Sequence, residues 1–218
     1  MPRRETAVSQ RPALTPRALG RPKDVASAAT HERLLAVSRQ AFARVGLDGT
    51  TNRDIATAAG ITAGAIYHYY PSKVELYVAV YEEVQVIVYG AFERAVAPHH
   101  SLVDRFNAVL DAAVALNRDD PSLAAFVVGV ASEADRHPEL VERLARAQRV
   151  STRFMHRLAH DAADRGELAA DISPAALEDL LNAVLSGLAR FSSQTGDSQR
   201  HEAAVAVLKR FMAGTLMS

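Results

Sequence analysis

The segment Thr51–Lys73 (TNRDIATAAGITAGAIYHYYPSK) constrains this chain more than any other. It reads as two short helices joined by a tight glycine turn. Thr51 is an N-cap candidate with Asp54 three residues on, so hydroxyl and carboxylate can satisfy orphan N–H groups of the first turn. Ile55 and Ala59 fall on one inward face. Gly60 supplies the positive φ that ends such a helix, and Thr62 can cap the next, from about Ala63 to Tyr69. That second helix starts with Ala63, Gly64 and Ala65, small enough for its N-terminus to press against another surface. A longer amphipathic helix precedes the pair, with Leu34, Leu35, Ser38, Phe42 and Val45 on one face and Gly46 as its stop. This is the helix-turn-helix pattern, whose second helix enters the DNA major groove.

Charge supports that reading. The chain is formally neutral overall, yet residues 1–73 hold eleven Lys/Arg against five Asp/Glu, and the remainder fourteen against twenty. A basic head on an acidic body suits a nucleic-acid reader joined to a domain that does not touch nucleic acid. Six basic residues (Arg3, Arg4, Arg11, Arg17, Arg21, Lys23) lie in residues 1–28, rich in Pro, Arg, Ser and Ala and read as a mobile arm. The arm can follow phosphates or enter a minor groove, or serve only to solubilise; Arg3 and Arg4 read as the latter.

The stretch Ala59–Tyr70 with Lys73 resembles the N-terminal signature of the TetR/AcrR family of bacterial transcriptional repressors, and residues 31–77 carry the resemblance. Tyr70 stands where the family usually has phenylalanine. The resemblance places DNA contacts on Thr51, Arg53, Thr62, Ala63, Tyr67, His68 and Lys73. Arg53 suits guanine O6/N7 or a phosphate, and Ala63 a thymine methyl. Tyr67 and His68 offer O–H and N–H to phosphates, and Lys73 lies at a helix N-terminus that attracts anions. Tyr69 and Tyr70 are expected to pack on the first helix, and Ile66 in the core.

Downstream, Ser72 with Glu75 opens a segment to about Val96. Its valines alternate like a strand, but eighteen residues without a turn signal decide for helix. Ser101 with Asp104, Pro121, Pro138 and Ser173-Pro174 open further helices, and the last spans roughly 198–216. The fold class is all-α, about nine helices: a three-helix DNA-binding domain (29–74) followed by a helical effector-binding and dimerisation domain (75–218). In the helix from Pro174, Leu177, Leu181, Val184, Leu188 and Phe191 form an apolar face opposite the small residues Asn182, Ser186 and Ala189. With Leu185, and with Val205, Leu208, Phe211 and Met212 of the last helix, two copies would form a four-helix bundle. The alternative is that both helices complete a monomeric core.

No enzyme site assembles from the motifs. There is no phosphate loop, no G-x-S-x-G and no H-E-x-x-H, and with no cysteine no thiolate site. No cofactor is expected. His156 and His160 at i, i+4 read as a solvated face rather than a metal site. So does the stripe Arg146, Arg149, Arg153, Arg157, whose alternative is an acyl-CoA-like or phosphorylated ligand. No apolar run reaches bilayer length and no signal peptide is visible, so a cytoplasmic protein is expected. The reading is a homodimeric repressor on palindromic double-stranded DNA, released by a mainly apolar small molecule. Phe106, Phe126 and Phe154 are the candidate pocket wall. The rival is a DNA-bound adaptor of the same fold that acts through a protein partner.

Overall fold

The computed structural model describes residues 23–216, with side chains described from residue 28. Among them are nine α-helices and no strand: α1 (Lys23–Gly49), α2 (Asn52–Ala59), α3 (Ala63–Tyr69), α4 (Lys73–Val96), α5 (Leu102–Asp119), α6 (Ser122–Arg136), α7 (Pro138–Asp164), α8 (Pro174–Thr195) and α9 (Ser198–Met212). Residues 23–28, expected in the arm, are helical; residues 1–22 and the basic side chains expected to reach DNA from them lie outside the described part.

The local signals act as their chemistry dictates. Thr51, Thr62, Ser72, Ser101 and Ser173 each accept a backbone N–H from the third residue along. At Thr51 and Ser101 the hydroxyl also donates to the carboxylate of Asp54 (2.6 Å) and Asp104 (2.7 Å), so the carboxylate orients the cap rather than reaching a backbone N–H. Gly60 ends α2 in the left-handed region (φ 66°). Gly46 (φ 74°, ψ −178°) stops the regular helix of α1 as expected, and beyond this break a further turn continues to Gly49. Val45, just before the break, is turned outward and is 49% exposed. α9 stops at Met212, short of the expected 216, with a positive-φ glycine at Gly214.

Two apolar clusters organise the chain. The first gathers Leu34, Phe42 and Leu47 of α1, Ile55 and Ile66 of α2 and α3, and Leu76, Tyr77 and Val80 of α4. It also takes Leu123 and Phe126 of α6 and Leu140 and Leu144 of α7. Tyr77 sits at its centre, its ring 5.0 Å from both Phe42 and Phe126. The second joins Phe92 and Val96 of α4, Phe106 and Leu110 of α5, Phe154 and Leu158 of α7, Leu177 and Leu181 of α8, and Val205 of α9. Each fully buried side chain of this size contributes about 1.5–3 kcal/mol. α4 and α7 belong to both clusters, so each carries position from one end of the molecule to the other.

Candidate nucleic-acid interface and body cavity

The tip formed by α2 and α3 presents Thr51, Arg53, Thr62, Ala63, Gly64, Tyr67 and His68 to solvent, while Ile66 is wholly buried beneath it. Nothing within the fold demands a glycine at Gly64. A Cβ there would meet only the Thr62 hydroxyl at 3.9 Å, so the small residue keeps the outer surface low. Tyr69 and Tyr70 pack against His31 of α1, with ring centroids at 5.5 and 5.8 Å. The Tyr70 hydroxyl and His31 Nε2 share a hydrogen bond of 2.7 Å. Burial, followed by Glu83 and Glu82, pushes the Tyr70 phenol up to about 12, so it remains protonated at neutral pH. Arg33 donates to the Ala59 carbonyl (2.8 Å) at the end of α2. Lys73 is the exception among the expected contacts. It is half-buried, and its ammonium donates to the Thr50 carbonyl at 2.8 Å, tying the start of α4 to the loop before α2.

Two buried charges hold α1 to the body, and neither stands out in the sequence. Arg39 of α1, 5% exposed, donates to Glu83 of α4 (2.9 Å), Asp120 (2.5 Å) and the Ser122 hydroxyl (3.0 Å). The two carboxyls respond oppositely. Burial raises Glu83 and outweighs Arg39. At Asp120 burial is overcome by the Ser122 hydroxyl, Arg39 and the Ser122 N–H, and the carboxyl falls below its ordinary range. At the far end of α6, the buried Glu133 accepts the Leu47 N–H (3.2 Å) freed by the break at Gly46, and Arg136 donates to the same oxygen (2.5 Å). His137 stands 3.2 Å from Asp48 and 3.3 Å from Glu139.

The body contains a cavity of about 140 Å³. One side is Val88, Tyr89 and Phe92 of α4 with Ala113 and Leu116 of α5; the other is Leu123, Ala124 and Val127 of α6 with Leu185, Leu188 and Ala189 of α8. Asn117, Ser186, Ser192 and His201 are the polar parts of the wall, and no Lys, Arg, Asp or Glu lines it. None of the expected pocket residues does either. Phe126 packs against Tyr77 in the first cluster, Phe106 lies in the second, and Phe154 backs the wall from 5.6 Å behind Tyr89. The aromatic wall is Tyr89 and Phe92, which lie on the linking helix rather than deep in the body.

The residues expected at a dimer face are divided. Leu181 and Val205 are core, and Leu185, Leu208 and Met212 pack on the second cluster. Leu185, Ser186 and Ala189 line the cavity, and Asn182 donates to the Glu178 carbonyl at 3.0 Å. Of the expected set, Phe211 is the large apolar side chain left outside, 65% exposed. Leu180 (58%) and Val207 (52%), not singled out by the sequence, are exposed on the same two helices, with the exposed Ala183 and Gly187 on the Leu180 face. The arginine stripe is exposed, Arg157 pairing with Glu93. His156 and His160 lie ring against ring (3.9 Å), and His156 faces Glu178 (3.3 Å). Among the described residues no group of three or more His, Asp or Glu is placed to hold a metal, and no helix is long and apolar enough to cross a membrane.

Residues 34–80 match the bacterial regulatory proteins of the tetR family, and residues 103–208 match the tetracyclin repressor-like C-terminal domain. Over 155 residues the chain is 26% identical to the HTH-type transcriptional regulator UidR of Escherichia coli K12, covering 70% of this chain and 76% of that one. The structure of GusR from Salmonella enterica superposes with a TM-score of 0.68 at 28% identity, covering 92% of this chain and 99% of GusR. The transcriptional regulator FadR of Bacillus subtilis, in complex with stearoyl-CoA, superposes with a TM-score of 0.69 over 82% of this chain and 97% of its own; at 13% identity the likeness is of fold alone.

Proposed function

The chain belongs to the tetR family of bacterial regulatory proteins and is a DNA-binding transcriptional regulator; from that premise we propose that it is a homodimeric repressor, held on a palindromic operator and released by a mainly apolar small molecule. The observation that carries the reading is the course of α4 and α6. α4 begins at the tip, where Lys73 holds the Thr50 carbonyl, and reaches the cavity at Val88, Tyr89 and Phe92. α6 contributes Leu123, Ala124 and Val127 to the cavity and ends at Glu133, which holds the Leu47 N–H of α1. A ligand that displaces either wall therefore moves an element fastened to the DNA-reading tip. The apolar cavity favours this over an adaptor without a ligand.

On DNA, the exposed Thr62, Ala63 and Gly64 enter the groove, Arg53 reads a base or phosphate, and Tyr67 and His68 bond phosphates. Thr51 caps α2 beside them. Lys73 keeps Thr50 in place and has further N–H groups for a phosphate. Leu180, Val207 and Phe211 form the contact with a second copy, which two-fold operators require. With no cation in the cavity wall and the arginine stripe outside, the reading departs from the acyl-CoA ligand that FadR holds.

Selection of duplexes from a random pool by the purified protein tests the reading. Tyr67→Ala weakens binding to all sequences and lowers the slope of log affinity against log salt by about one, whereas Arg53→Ala relaxes preference at one base position. Absence of preference for any duplex overturns it. To pass from 99:1 to 1:99 in favour of release, the effector must discriminate between the states by about 5.5 kcal/mol. Hydrophobic compounds are therefore screened for a raised Tm together with loss of operator binding. A compound that stabilises the fold and leaves DNA bound contradicts the switch.

A further inference from the structure

The cavity wall is apolar apart from Asn117, Ser186, Ser192 and His201, and these polar groups are unequally served. The Ser192 hydroxyl donates to Asn117 Oδ1 at 2.7 Å, both residues being buried. His201, on the first turn of α9, is 3% exposed and lines the same cavity, and its Nδ1 has no hydrogen-bond partner. A buried imidazole nitrogen without a partner is costly, so it is a place where a ligand group gains more than it would from water. Burial lowers the affinity of His201 for a proton, which leaves a neutral ring beside a wall without formal charge.

We propose that His201 is the recognition residue of this cavity and that the effector carries one uncharged hydrogen-bonding group, a hydroxyl or carbonyl, on an apolar body. The proposal rests on the reading of the cavity as the effector site and specifies its ligand class. An anionic head group is disfavoured because no cation lines the wall to offset its desolvation. A pure hydrocarbon leaves the imidazole nitrogen unpaired. A hydroxyl suits either tautomer of His201, since it both donates and accepts. A second polar cavity of about 100 Å³ lies on the other side of the Asn117–Ser192 pair, lined also by Ser193, Asp197 and Ser198. Asn117 and Ser192 thus border both cavities. Cavities of about 150 Å³ accept benzene, so the cavity as it stands matches a single ring.

Phenol, toluene and benzoate are probes of one shape that differ in one substituent, and their binding to the full chain is measured by NMR titration. In a wholly apolar site toluene is preferred to phenol, because the hydroxyl must shed water for nothing in return. Here phenol equals or exceeds toluene, and benzoate is the weakest. His201→Leu shifts the phenol-to-toluene ratio about tenfold towards toluene, the worth of one such bond, while His201→Gln keeps the phenol preference. Ala124→Phe fills the cavity and abolishes binding of both. In the unaltered protein the ¹⁵N shifts of the His201 ring move with phenol and stay still with toluene, a readout that does not require the variants to fold. Equal ratios in the parent and His201→Leu proteins, unmoved ring shifts, or benzoate as the tightest probe each overturn the assignment to His201 and leave the cavity reading intact. If no probe binds, the cavity reading and the proposal fall together.

Discussion

Gly46→Ala tests the joint between α1 and the body. The glycine adopts φ 74° with ψ −178°, a region closed to residues with a Cβ, and forcing alanine into it costs about 1–3 kcal/mol. A Cβ at this position would also stand 2.4 Å from the Glu133 Oε1, so the carboxylate must retreat by about 1 Å to reach ordinary contact. That retreat breaks the Leu47 N–H bond to a charged acceptor (3.2 Å), worth about 1.5–3 kcal/mol. The total is about 2.5–6 kcal/mol, a large share of the 5–15 kcal/mol typical of a folded protein. Urea unfolding at one fixed protein concentration measures it. In a Glu133→Ala background the same glycine substitution costs only the backbone strain, so the two changes couple by about 2 kcal/mol in a double-mutant cycle. A cost below about 1 kcal/mol, or strict additivity with Glu133→Ala, refutes the argument.

Arg39→Met leaves Glu83 and Asp120 facing each other without their cation and costs about 3 kcal/mol in the same unfolding assay. Because Asp120 is held below its ordinary range, its contribution is present above the ordinary carboxylate pKa and is lost as pH falls through the folded value; a pH series of Tm shows that loss in the parent and its attenuation in Arg39→Met. His201 is also depressed, so the folded state favours the neutral ring, and stability declines as pH falls below about 6.5; in His201→Leu that part of the slope disappears. Leu180→Asp with Phe211→Asp puts charge on side chains that are exposed in the single chain, and sedimentation gives a folded monomer with unchanged helical circular dichroism.

The helices were legible because their determinants are local. Caps at Thr51, Ser72, Ser101 and Ser173 and the positive-φ glycine at Gly60 act within a turn of where they stand in the chain. The α2–α3 tip was legible for the same reason: its exposed residues are set by one helix pair. What escaped depends on which helix faces meet. Both Phe126 and Phe92 fall on apolar helix faces, but Phe126 packs on Tyr77 in the first cluster, and Phe92 reaches the cavity wall. Periodicity placed Val45 inward, and the break at Gly46 undoes the periodicity one residue later. Arg39 and Glu133 have the composition of surface residues, and only their distant partners, 44 and 86 residues away, account for their burial.

The first apolar cluster has a consequence for how such proteins can be recombined. It draws on α1, α2 and α3 from one side of residue 74 and on α4, α6 and α7 from the other. Phe42, Tyr77 and Phe126 interlock across that line, with Arg39 and Glu133 bonded over it. A chimera spliced at the helix-turn-helix boundary would thus inherit half of a core from each parent. On the proposed reading of DNA by the tip, a graft meant to exchange operator specificity is confined to the outward residues of α2 and α3. To exchange the DNA-reading unit whole, it must bring Tyr77, Phe126 and Glu133 along.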